Sequence, residues 1–239
     1  MQFVLVHGGW QGAWCWDAVA AALRDGGHRV FAPTLRGSED GEVDRAGVDL
    51  TAIGEGLVEA ITHEELQDVV LVGHSGGGPA IQCAADRLLD ITRRVVFVDA
   101  WVLRDGEAIH DVLPGPLAEA DRAAAARSAD STVPMDPAVW KAHFINGADD
   151  ELVAATFARL VRVPLGWLEE PISLPRFWDA GLPSSYVFLR DDRGVPAELY
   201  REMARRLGDP RVVECEGPHE AMLTHPGALT EALLAAAKD

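Results

Sequence analysis

The stretch Gly73-His74-Ser75-Gly76-Gly77 is a G-x-S-x-G motif that follows a run of apolar β-branched residues and leads into helix-forming sequence. That strand, turn and helix context gives the motif its meaning, because a sharp turn forces the serine into a strained conformation and exposes its hydroxyl. The residues two before and two after the serine approach each other in such a turn, so both must lack bulk, and Gly73 and Gly77 meet that need. A serine hydroxyl is a weak nucleophile at neutral pH and needs a partner to take its proton as attack begins. His219, in the turn Glu216-Gly217-Pro218-His219 after the last predicted strand, is the candidate base. The imidazole in turn needs a carboxylate to fix its tautomer. Asp192 follows the fifth strand and completes the order Ser, Asp, His, with Asp191 and Asp99 as competitors for the same role.

Acyl transfer also needs donors for the negative oxygen of a tetrahedral intermediate, and backbone N–H groups at a helix start suit that task. Gly76, directly after the serine, is one candidate. Gly9, in the loop His7-Gly8-Gly9-Trp10, is the other, with Gly8 and Trp10 as its neighbours. His7 is expected to brace this loop rather than react. Trp10 and Trp101 are expected near the substrate, whereas Trp167, Phe177 and Trp178 are read first as packing. His28, His63 and His225 fall at predicted helix ends or surface turns, and His110 and His143 lie in the middle of the chain; none is assigned chemistry.

Strands are expected over Phe3–Val6, Arg29–Ala32, Val69–Val72, Val95–Val98, Tyr186–Leu189 and Val212–Cys215. Helices are expected over Trp16–Asp25, Leu50–His63, Pro79–Leu89, Ala197–Leu207 and Gly227–Ala237. Strands alternating with helices predict an α/β fold, a mostly parallel doubly wound sheet. Such a sheet gathers ligands at the carboxyl ends of its strands, where Ser75, Asp192 and His219 would meet. Residues 101–179 lack strand periodicity, and the runs Ala118–Ala129 and Asp150–Val161 read as helical. This stretch is longer than a crossover needs. We expect a helical cap over 101–179, inserted after the fourth strand into a core formed by 1–100 and 180–239.

At 239 residues and 48% apolar content, the chain can bury one sizeable core. A formal charge of −17 argues against a phosphate-backbone partner. Cys15, Cys83 and Cys215 are scattered with no CxxC pair, so neither a zinc site nor a disulfide framework is indicated. No apolar run approaches the roughly 18 residues that span a bilayer, and neither a basic n-region nor an A-x-A cleavage site stands before the apolar segment Phe3 to Val6. The expectation is a cytoplasmic protein that acts on a small molecule with no cofactor or metal and binds neither nucleic acid nor membrane. A homodimer is compatible with the sequence.

Taken together, FVLVHGGWQGAWCW, VVLVGHSGGG, RDDRGVP and GPHEAML resemble the α/β-hydrolase superfamily, and more narrowly the branch of plant methylesterases and hydroxynitrile lyases. The resemblance spans nearly the whole chain, although 101–179 matches only in being helical. It implies a carboxylic ester or lactone hydrolase with Ser75 as nucleophile, His219 as base, Asp192 as acid and Gly9 and Gly76 as oxyanion donors. The alternative it leaves is a lyase or cyclase that uses the same residues only to move protons. Lyases of this branch carry a threonine after the first-loop histidine and a lysine after the catalytic histidine. Here those positions are Gly8 and Glu220, so cyanide release is not expected. Glu220 is read first as a solvated side chain, and second as a selector of substrates with a positive or hydrogen-bond-donating group.

Overall fold

A computed structural model describes residues 1–41 and 43–238. Strands β1 (Gln2–Val6), β2 (Arg29–Phe31), β3 (Val69–His74) and β4 (Thr92–Val98) form the first half of the fold, with helices α1 (Asp17–Asp25), α2 (Leu50–His63) and α3 (Gly77–Arg87) between them. Strands β7 (Ser184–Leu189) and β8 (Arg211–Cys215) close the same sheet, accompanied by α9 (Ala197–Arg206), α10 (Ala221–Thr224) and α11 (Pro226–Ala236). The spatial order is β2-β1-β3-β4-β7-β8, and every pairing in this sheet is parallel.

Alternate residues of each central strand feed opposite faces. Phe3, Leu5, Val70 and Val72 pack with Trp16 and Leu233 on one side, while Val4, Val6, Leu71 and Phe97 pack with Ile53, Ile81 and Met203 on the other. Helix α2 matches its predicted bounds because both signals are local. Asp49 caps it by accepting from Ala52 N at 2.8 Å, and its buried Leu50, Ile53, Leu57 and Ile61 recur at helical spacing on one face. After β1 the chain runs outward to β2, then crosses back to β3 and continues the other way. The connections that leave the paired carboxyl ends of β1 and β3 therefore run in opposite directions and leave a crevice at this reversal.

Between β4 and β7 lie α4 (Ile109–Val112), α5 (Gly115–Ala125), α6 (Pro137–Val139), a single π turn (Trp140–Phe144), α7 (Asp150–Phe157) and α8 (Leu165–Glu169). The stretch is not wholly helical: β5 (Thr132–Val133) and β6 (Val163–Pro164) pair antiparallel. Both expected helices end early for identifiable reasons. After α5, Ser128 Oγ and Thr132 Oγ1 both donate to Asp130 Oδ1, a knot of side chains that leads the chain directly into β5. Beyond α7, Val161 N bonds Trp10 O at 2.8 Å, which requires an extended chain. Among the described residues no helix is long and apolar enough to cross a membrane.

Candidate active site

Ser75 sits between β3 and α3 with φ 51°, a left-handed conformation rare for a residue with a side chain. Local hydrogen bonds hold it there: Ser75 N donates to Val98 O at 3.2 Å, and Ser75 O accepts from Gly78 N at 3.1 Å and Trp101 N at 3.2 Å. The flanking glycines have no room for a side chain. A Cβ on Gly73 would lie 2.7 Å from Gly77 O, and one on Gly77 would lie 2.5 Å from His7 O.

His219 arrives on the loop after β8 and is 2% exposed. Its Nδ1 lies 2.5 Å from Asp192 Oδ2, and Gly194 N donates to Asp192 Oδ1 at 2.6 Å. Burial works to neutralise both groups, but their mutual attraction wins. Asp192 is held below the usual carboxylate range and His219 above the usual imidazole value. Of the competing acids, Asp191 does other work: its Oδ2 accepts from Gly217 N at 3.2 Å and its N donates to Gly217 O at 3.0 Å, tying the His219 loop down. Asp99 makes no hydrogen bond to the ring; its Oδ2 accepts from Leu189 N at 3.1 Å.

Ser75, Gly76, Gly9 and His219 all line one cavity of about 330 Å³. No hydrogen bond joins Ser75 Oγ to the His219 ring in this arrangement, and such contacts commonly tighten only when substrate binds. Gly76 stands at the N-terminus of α3, and a Cβ built on it would lie 3.4 Å from Gly9 N, so the two candidate donors sit side by side on the cavity wall. His7 braces the first loop as expected: its Nε2 accepts from Leu35 N at 3.0 Å, its Nδ1 donates to Gly8 O at 2.8 Å, and burial lowers its pKa to about 4, keeping it neutral.

Trp10 and Trp101 both reach the cavity wall, joined by Trp167 and Phe144, while Phe177 and Trp178 are not part of it. Trp10 Nε1 donates to Val133 O at 3.0 Å, which fastens the first loop to β5.

Four participants were missed or misjudged from the sequence. Phe144 meets the His219 ring edge to face at 5.0 Å, and its carbonyl accepts from Glu220 N at 3.0 Å; π turns often mark functional segments, but no residue pattern announced this one. Tyr200 Oη lies 3.3 Å from His219 Nδ1, and its place one turn into the helix after Asp192 was the available clue. His74, the residue directly before the nucleophile, packs its ring 4.5 Å from that of His219, and neither of its nitrogens has a hydrogen-bond partner among the described residues. Burial, then the charge of His219, keeps His74 neutral.

Glu220 is the fourth, and it corrects an expectation. It is not solvated: it is 2% exposed and accepts a hydrogen bond from Gln11 Nε2. It is not part of the cavity wall either, so it does not touch substrate directly. Its backbone is drawn inward by Phe144 O, and its carboxyl follows toward the first loop. Burial pushes its pKa up to about 7, against the pull of His219. Donor atoms of His74, His219 and Glu220 fall within 4.8 Å of one another, the one group among the described residues that could converge on a metal ion. Asp192 and Gln11 already engage His219 and Glu220, so the cluster acts first on the proton affinity of the candidate base.

Comparisons of the whole chain place it among known proteins. The solved structure of an extracellular alpha/beta-hydrolase from a Paenibacillus species, described as sharing structural and functional homology with Tobacco Salicylic Acid Binding Protein 2, matches with TM-score 0.94 and 29% identity over 100% of both chains. Methylesterase 8 of Arabidopsis thaliana is 29% identical over 250 residues, covering 98% of this chain and 89% of that protein. A carbendazim hydrolyzing esterase of Nocardioides sp. (strain SG-4G) is 43% identical over 116 residues, and the match spans about half of each protein, 48% of this chain and 48% of the relative. Residues 3–232 match the model of the alpha/beta hydrolase family, and the chain belongs to that family.

Proposed function

We infer that the protein is a serine hydrolase that cleaves carboxylic esters or lactones through an acyl-enzyme on Ser75. One observation carries this reading: a strained serine and a histidine bonded to a buried aspartate open onto the same apolar cavity. Ser75 Oγ attacks the carbonyl carbon as its proton passes to His219 Nε2, and Asp192 stabilises the imidazolium that forms. The carbonyl oxygen takes the electron pair and is met by the N–H groups of Gly9 and Gly76. Collapse expels the alcohol, which takes the proton from His219, and water then repeats the sequence to release the acid.

A cavity of about 330 Å³ is near the small end of ligand pockets, so compact esters fit and long acyl chains do not. Its walls include the indoles of Trp10, Trp101 and Trp167, which suit an apolar or aromatic group. Similarity to a methylesterase and to a carbendazim hydrolyzing esterase supports a small alcohol as leaving group. In this reading residues 101–179 are the cap that closes the cavity above the sheet.

A lyase of the cyanide-releasing type is disfavoured. A Cβ on Gly8 would lie 2.9 Å from Ser75 Cβ, so a threonine cannot enter this backbone without displacement. The test is hydrolysis of p-nitrophenyl acetate and butyrate in the pre-steady state. A stoichiometric burst of phenolate followed by slower turnover supports the acyl-enzyme. Turnover with no acyl-enzyme trapped on Ser75 would support proton transfer alone.

A further inference from the structure

Behind the candidate base lies a second carboxyl group that the reaction as described does not use. Asp99 directly follows β4 and takes φ 33°, a left-handed conformation that costs on the order of 1 kcal/mol or more and persists only when its surroundings impose it. They do: Asp99 N donates to Val187 O at 3.0 Å, and its Oδ2 accepts from Leu189 N at 3.1 Å. The residue is 1% exposed. Its carboxyl group lies within hydrogen-bonding reach of that of Asp192.

Two carboxylates in contact inside a protein do not both ionise, because their repulsion is poorly screened. The donors around the pair decide which one keeps the charge. Asp192 receives Gly194 N on one oxygen and His219 Nδ1 on the other, and the imidazolium forms beside it. Asp99 receives only Leu189 N, and its Oδ1 is buried with no N–H or hydroxyl partner. A proton on the Asp99 carboxyl removes the repulsion between the two groups and gives Asp192 a further donor. Burial, then the charge of Asp192, holds the Asp99 carboxyl well above the usual range. The other titratable groups that feel Asp99 are Tyr186 on β7, Tyr200 on α9 and Cys215 on β8, each pushed up chiefly by burial and therefore neutral at pH 7.

We propose that Asp99 is a positioning residue: it keeps its proton and donates it in a hydrogen bond to Asp192, fixing that carboxylate against His219 Nδ1. It touches neither substrate nor the reacting atoms. The role rests on the reading of His219 as general base.

The test combines the acid limb of the kcat/KM profile with the infrared carboxyl spectrum of the wild type and of Asp99→Asn and Asp99→Ala. Removing a neutral donor leaves Asp192 more basic, so His219 binds its proton more tightly. Asp99→Ala is expected to move the acid limb upward by about half a pH unit or more and to lower kcat about tenfold with little change in KM. Asp99→Asn retains a donor and leaves the limb in place. If Asp99 were ionised, both variants would remove a negative charge and move the limb downward. A limb that moves in neither variant means packing alone, and either result overturns the proposal. The spectrum reads the proton without turnover and does not need the alanine variant to fold. At pH 7 the wild type, with or without Ser75→Ala, is expected to show, beside the band of the half-protonated Glu220, a second protonated-carboxyl band that Asp99→Asn lacks. Absence of that band overturns the proposal even if the acyl-enzyme holds, and its presence stands even if the acyl-enzyme fails.

Discussion

Replacing Glu220 by glutamine is expected to stabilise the protein at alkaline pH and to do little at acid pH. Glutamine keeps the shape of the side chain, and its carbonyl can still accept from Gln11 Nε2. What it removes is a charge that the fold does not tolerate well. Burial raises the pKa of Glu220 from 4.5 to about 7, so between those values the folded protein holds a proton that the unfolded chain has lost. Stability therefore falls as pH rises through this window and is lowest above 7. Each tenfold change in proton affinity is worth about 1.4 kcal/mol, so ionising Glu220 costs the wild-type fold roughly 3 kcal/mol by pH 8.5. Glu220→Gln should recover most of that at pH 8.5 and less than about 1 kcal/mol at pH 5. In a domain of this size the alkaline gain corresponds to a rise in Tm of roughly 6–12 °C. Urea unfolding followed by tryptophan fluorescence at the two pH values measures it. A variant no more stable than wild type at pH 8.5, or one with the same gain at both pH values, would refute the buried-acid argument.

Asp192→Asn should lower kcat by about 10²–10⁴ because the imidazole loses its orienting acceptor, whereas Asp191→Asn, which loosens only the bond to Gly217 N, should cost less than tenfold; the opposite ranking would transfer the acid to Asp191. The acid limb of wild-type kcat/KM should lie above 6.5. His219 is raised against its burial by Asp192 and then Glu220, and only the neutral ring accepts the Ser75 proton, so activity grows as pH climbs through that raised value; a limb below 6.5 contradicts this. Phe144→Ala deletes edge contacts with both His219 and Trp10, each worth about 0.5–1.5 kcal/mol, so urea unfolding should show a loss of about 1–3 kcal/mol, with kcat reduced; unchanged stability and kcat would remove Phe144 from the site.

The six strands and five main helices could be read from the chain because their signals are local: β-branched runs, turn residues and helical spacing. Ser75 could be read for the same reason, since the strain, the flanking glycines and the following helix all fall within a few residues. The pair β5–β6 could not, because two-residue strands carry no periodicity and exist only through their partner. Glu220 was misjudged because an isolated glutamate is usually solvated, and its partner Gln11 lies 209 residues away in sequence. The Asp99–Asp192 contact depends on β4 and β7 being neighbours in the sheet, a strand order that no single segment encodes. What sequence could rank but not decide, Asp192 over Asp191, turned on which carboxylate reaches a ring and which reaches a glycine amide.

The most direct examination of the nucleophile is covalent: react the protein with a fluorophosphonate, digest it and locate the adduct by mass spectrometry. The account predicts one stoichiometric adduct on Ser75, absent in Ser75→Ala and strongly slowed in His219→Ala while both variants remain folded. Ester turnover in a protein whose Ser75 stays unmodified, or an adduct formed on another residue, would contradict it.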